Sequence, residues 1–280
     1  QTDDEMMKEL VKEEDVVITI SNKGFIKRIP VNSYKSQGRG GKGITAASTG
    51  SADDDFNEHM FIASTHQYIM FFTRRGKCYW LKVYDIPEGS RTSRGKSILN
   101  LIEKDKDDDI SSFVMVKDFT EKLFVTMVTK SGIIKKTELE SYSNIRRSGI
   151  NAINLKNDDS LVDVRLTNGK QEIVIGSHNG QAIRFNESTV RDMGRTATGV
   201  KAIKLAKGDY VIGLVAVTRP SATILVITEN GYGKRSDLGD YRVTNRGGKG
   251  VITVKTTDKV GKLISIKEVT DTDDLMIITI

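Results

Sequence analysis

The decapeptide SQGRGGKGIT, Ser36 to Thr45, sets four glycines beside an arginine and a lysine. Glycine turns that carry a lysine can cradle a nucleotide, with backbone amides and the ammonium converging on its phosphates. The spacing excludes that here. Such a cradle needs a glycine, four further residues and then Gly-Lys-Ser/Thr, whereas Lys42 is followed by Gly43. Gly95-Lys96-Ser97 meets the second half of the requirement, but the residue five before Gly95 is Ser90 and the glycine is Gly89. His59, His66 and His178 show no ligand-like spacing with one another or with Cys78, so no metal is expected. No motif brings a serine, histidine and aspartate together. The chain is therefore expected to hold neither an active site nor a cofactor.

The loop takes its meaning from the strands around it. Five apolar, β-branched runs end in a turn glycine: VVITISNKG, YIMFFTRRG, LFVTMVTKSG, EIVIGSHNG and TILVITENG. Their glycines, Gly24, Gly76, Gly132, Gly180 and Gly231, lie 52, 56, 48 and 51 residues apart. Asn-Gly at 179–180 and 230–231 predicts type I′ hairpins, whose two central residues both need positive φ. A basic second strand follows each turn, as in FIKRIPV, IIKKTEL and YGKRSDL. Some nineteen residues after each turn glycine the loop motif returns, as GGKGI, RGKSI, RRSGI, TATGV and GGKGV. A third strand is expected after it, clearest in INAINL and VKAIKL, then an acidic loop and a fourth strand.

Repeated four-strand units predict an all-β, propeller-like domain. Its blades would span about 15–66, 67–118, 119–169, 170–218 and 219–270, with an incomplete sixth opening at 271–280. No segment has a helical period of useful length. The polar opening, residues 1–14, reads as a linker from an upstream domain, so the chain is expected to be part of a longer protein. A lone cysteine and the lack of any apolar run of membrane-spanning length predict a cytoplasmic protein without a membrane partner.

Charge is segregated along each unit. The net charge is +6, yet segments 23–45, 74–98, 130–151, 178–201 and 229–251 carry +6, +5, +3, +2 and +2, which leaves −12 for the remainder. In equivalent blades these segments would form a basic belt. Such a belt suits duplex DNA, whose phosphates release counterions when neutralised. Aromatic residues are only 6% of the chain and none lies within the glycine loops, which argues against a single-strand binder built on base stacking. Beyond the first loop, the expected contacts are Lys27, Arg28, Lys35, Arg91, Arg94, Lys96, Lys135, Lys136, Arg146, Arg147, Arg184, Arg195, Lys234, Arg235, Arg246 and Lys249.

QGRGGKG, residues 37–43, closely resembles the seven-residue box, Gln-Arg-Arg-Gly-Gly-Lys-Gly, of the gyrase A C-terminal domain family. Gln37, Arg39, Gly40, Gly41, Lys42 and Gly43 match, while Gly38 stands where the box has arginine, so the phosphate contact that the resemblance implies at that position has no arginine to make it. The resemblance implies a six-bladed β-pinwheel whose blades exchange strands and whose perimeter wraps duplex DNA. It also implies a chiral crossing that lets an ATP-driven type II topoisomerase, DNA gyrase, introduce negative supercoils. Cleavage and ATP hydrolysis would reside in an upstream domain and in the gyrase B protein of an A2B2 holoenzyme. Two alternatives are the C-terminal domain of the topoisomerase IV A protein and a propeller that binds an acidic protein.

Overall fold

A computed structural model describes residues 3–33 and 57–273. The first unit supplies β1 (Asp15–Ser21), β2 (Phe25–Pro30) and β3 (Asn57–Ser64). The second supplies β4 (Tyr68–Thr73), β5 (Lys77–Lys82), β6 (Lys96–Ser97) and β7 (Ile110–Val116). The third contributes β8 (Phe124–Thr129), β9 (Ile133–Glu138), β10 (Ile150–Asn151) and β11 (Leu161–Thr167). The fourth contributes β12 (Glu172–Ser177), β13 (Gln181–Asn186), β14 (Val200–Lys201) and β15 (Val211–Ala216), and the fifth β16 (Thr223–Thr228), β17 (Gly233–Asp237), β18 (Val251–Ile252) and β19 (Leu263–Val269).

Units and sheets do not coincide. The sheet orders are β3-β1-β2-β6, β7-β4-β5-β10, β11-β8-β9-β14 and β15-β12-β13-β18, all antiparallel, followed by β19-β16-β17. Each of the first four sheets therefore takes its last strand from the following unit. The expected third strand is only two residues long, and it belongs to the preceding blade. Five blades are described where six were expected, and the fifth has three strands; the segment 274–280, read as the start of a sixth, lies outside the described residues.

Side chains on both faces of the second, third and fourth blades are buried because each is packed between two others. Ile18, Ile20 and Ile26 of the first blade meet Ile69, Phe71, Tyr79 and Leu81 of the second. Met70, Phe72, Cys78 and Trp80, on the second blade's other face, meet Val125 and Met127 of the third. The same alternation joins the third blade to the fourth and the fourth to the fifth. Strands β7, β11, β15 and β19 contact one another in succession, which places β6, β10, β14 and β18 at the opposite, outer edges.

The hairpins depart from type I′. Gly24, Gly76, Gly132, Gly180 and Gly231 have φ between +82° and +92°, but neither Asn179 nor Asn230 has positive φ. Each is a longer turn that closes on its glycine. In the first four, a Ser or Thr three residues before the glycine accepts from the N–H of the residue after it, as in Phe25 N–H to Ser21 Oγ at 3.1 Å and Lys77 N–H to Thr73 Oγ1 at 3.1 Å. No helical period was expected, yet within the segment read as a linker Asp3–Leu10 is an α-helix, α1, with Lys8 in its last turn where a cation complements the helix dipole. After it, Thr65 Oγ1 donates to Lys12 O at 2.8 Å and accepts from Glu14 N–H at 3.1 Å, which fixes the chain as it enters β1.

Candidate nucleic-acid interface

The glycine loops of the second to fifth units, residues 88–97, 143–151, 191–201 and 242–252, run along the outer edges of the blades before them. Isolated parallel bridges at Arg28–Glu88, Lys136–Asp192 and Arg184–Val243 start the contact in three of them. The two-residue strand then pairs beside the hairpin, as Ile26 with Lys96, Cys78 with Ile150, Ile134 with Val200 and Ala182 with Val251. Close approach explains the last glycine of each loop. Gly95, Gly149, Gly199 and Gly250 all have positive φ, and a Cβ on Gly250 would lie 2.1 Å from Ala182 O. Glycine here serves a tight backbone contact as well as any ligand.

From the third unit on, each loop is joined to the loop before it or to the stretch that directly follows that loop. The N–H groups of Glu103, Asn154 and Lys204 donate to Arg147 O, Ala197 O and Gly248 O at 3.2, 3.2 and 2.8 Å. Arginines reinforce the row: Arg195 donates to Asn151 O and Arg246 to Lys201 O, both at 2.6 Å, and Arg147 lies 3.7 Å from Glu103. Along this track Arg94, Lys96, Arg146, Arg147 and Lys249 are exposed, and Arg91, Arg195 and Arg246 are half-buried. Arg94 also stands over the Phe25 ring, 4.0 Å from its centroid. Lys234 and Arg235 are exposed on the fifth blade, where Arg235 pairs with Asp271 at 2.7 Å.

Several cations predicted for the perimeter lie elsewhere. Lys27, Lys135 and Lys136 are 2%, 0% and 5% exposed, so they are not part of an exposed belt. In the third unit the second strand is sandwiched between two blades, and its side chains must find partners there. Lys27 Nζ donates to Arg91 O at 3.0 Å and Ser93 O at 2.6 Å, and burial lowers its pKa. Lys135 Nζ donates to Ala152 O and Arg195 O; burial, then the Arg195 charge, brings its pKa down to about 7. Lys136 meets the fully buried Glu187, donating to its carbonyl at 3.2 Å with its carboxylate 3.8 Å away, and lies over Phe124.

Arg28 and Arg184 are half-buried straps. Arg28 donates to Ile86 O at 2.7 Å and pairs with Glu88 at 3.0 Å. Arg184 pairs with Glu172 at 2.6 Å while donating to Leu238 O and Tyr241 O at 2.9 and 3.0 Å. Each holds the chain that leads into the next unit's loop. The whole first loop, Gln37 to Gly43, and Lys35 lie outside the described residues.

The acidic loops have a role that charge counting missed. Asp108, Asp159 and Asp209 accept from the turn N–H groups of Arg75, Ser131 and Asn179 at 3.0, 3.0 and 2.9 Å. Their recurrence about 30 residues after each turn is the signal for it. The described residues contain no group of three or more His, Cys, Asp and Glu side chains able to hold a metal ion. Cys78 is buried, and burial raises its thiol pKa. Burial likewise lowers the His59 pKa. Among the described residues no helix is long and apolar enough to cross a membrane.

A row of cationic loops on radially repeated, strand-exchanged sheets defines a propeller-like module built to present its rim. Comparison with known proteins identifies the family: the model for the DNA gyrase C-terminal domain, a β-propeller, matches residues 15–64, 67–117, 124–168, 171–218 and 222–270, and the chain belongs to that family. The DNA gyrase A protein of Staphylococcus epidermidis is 46% identical over 273 residues, 97% of this chain and 30% of that protein. The chain thus spans about a third of the length of the curated relatives it matches. A solved gyrase A C-terminal domain superposes with a TM-score of 0.79 at 28% identity, covering 92% of this chain and 84% of the other. The C-terminal domain of a DNA topoisomerase IV gives a TM-score of 0.72 at 30% identity, covering 94% and 80%.

Proposed function

We propose that this domain binds duplex DNA without reading its sequence and bends it along the loop track. The wrapped segment then crosses with one chosen sign, as a gyrase needs to introduce negative supercoils. The observation that carries this reading is the edge-to-edge joining of four glycine loops with exposed cations on each of the second, third and fifth units' loops. Phosphate contact needs charge spaced along a path and no base-reading groups. Bending DNA by about 180° over roughly 40 base pairs costs on the order of 10 kcal/mol, more than one loop can offset. A row of loops can offset it.

The box at 37–43 adds the densest cluster of glycine and charge, and the gyrase relatives favour this reading over the topoisomerase IV one. The partners that follow are an upstream cleavage domain and the gyrase B protein, within a bacterial cytoplasm. A sixth blade belongs to the same reading. Its support is that among the described residues no strand pairs with the outer edge of β17, whereas the corresponding edge in each of the other four sheets carries a strand of the following unit.

The test is a salt series on the intact protein. Six to eight phosphate contacts predict log affinity for duplex falling with log salt at a slope of about −5 to −7. Affinity should also rise with duplex length up to the span of the track. A shallow slope with no length dependence would favour an acidic protein partner.

A further inference from the structure

Lysines recur at the third position after the hairpin glycine in alternate units, as Lys27, Lys135 and Lys234. Tyr79 and Ile183 take that place in the second and fourth units. Lys135 Nζ bridges two successive loops, donating to Ala152 O of the third and Arg195 O of the fourth. Lys27 reaches the following unit's loop through Arg91 O, the counterpart of Arg195 O, and through Ser93 O, and Lys234 donates to Thr253 O at 3.1 Å, the counterpart of Ala152 O.

The neighbouring joint shows what Lys135 replaces. Between the fourth and fifth loops, the Gly247 N–H donates to Ala202 O at 2.7 Å. Ala152 O is the equivalent acceptor between the third and fourth loops, and there it is met by the lysine and by the Tyr142 hydroxyl at 3.1 Å. We infer that Lys135 is a positioning residue for DNA: its amine stands in for a backbone link and sets the fourth loop against the third, so that their cations share one path.

This geometry separates two roles that a charge count merges. An exposed arginine on the track neutralises a phosphate, whereas Lys135, with no solvent contact, acts only through the loops it ties. The consequence for DNA rests on the wrapping reading above; the tie between loops does not.

Amide hydrogen exchange on the intact protein tests the tie, since local opening is read residue by residue. Lys135→Met is expected to speed exchange at the Asn154 and Ala197 amides by about tenfold or more, leaving Lys204 and Gly247 unchanged. No change at the first pair, or an equal rise at both pairs, overturns the inference. Should that variant fail to fold, Lys234→Met, at an exposed site, is read at the Thr253 and Val254 amides, and unaltered exchange there overturns it equally. On DNA, Lys135→Met should reduce the linking-number shift of closed circles while the salt slope stays constant. Arg146→Ala should lower that slope by about 0.9. A slope that falls in Lys135→Met marks direct phosphate contact and defeats the positioning role. If wild type itself shows no duplex binding, the wrapping reading fails while the exchange result still decides the tie.

Discussion

Burial holds the Lys135 amine well below the usual lysine range. Its folded pKa of about 7 lies below the unfolded value of about 10.4, so between the two the unfolded chain binds more protons. The stability linked to this group is therefore complete above the unfolded value and is lost as pH falls through about 7. Denaturation midpoints measured from pH 7 to 10 should rise less steeply in Lys135→Met than in wild type; parallel curves would contradict the assignment. Arg146 and Arg147 should behave oppositely, since both are exposed on the track. Removing both is predicted to cut the salt slope by about 1 to 2, with no detectable change in the unfolding midpoint. The spacing of Lys27, Lys135 and Lys136 from their hairpin glycines is plain in the sequence. Which of them meets solvent is not, because that depends on a neighbouring blade covering the second strand.

Gly250 shows what the loop demands of the backbone. With φ of +73° and a would-be Cβ 2.1 Å from Ala182 O, Gly250→Ala must distort the loop or part β18 from β13. The expected cost is about 1–3 kcal/mol, read as a lowered denaturant midpoint; a neutral result would show that the strand pairing is dispensable. The first, second and fourth strands of every unit could be read from β-branched runs and turn glycines. The exchanged strand could not, since two residues carry no period and its partner lies a full repeat away. The Ser or Thr three residues before each hairpin glycine was also visible, but its meaning appears only when its oxygen is seen to close the turn. α1 escaped notice because eight residues give too little helical period to stand out.

Alternating charge along the chain becomes spatial order once the units are stacked. Asp108, Asp159 and Asp209 turn back on their own hairpins and the loops of the second to fifth units lie at the outer edges, so part of the segregation has a structural cause and part remains available to a polyanion. The box at 37–43 should matter for the sign of the crossing more than for capture. Replacing it with alanines is predicted to abolish the linking-number shift while duplex binding at low salt stays within about threefold, a difference of about 0.7 kcal/mol. A variant that keeps the full shift would remove the box from the account.

Circle closure provides the most direct measurement. A nicked duplex circle sealed in the presence of the intact protein should change linking number with one sign, by an amount that grows with the number of proteins bound. A distribution that stays centred where it lies without protein, at saturating occupancy, would contradict wrapping along the loop track.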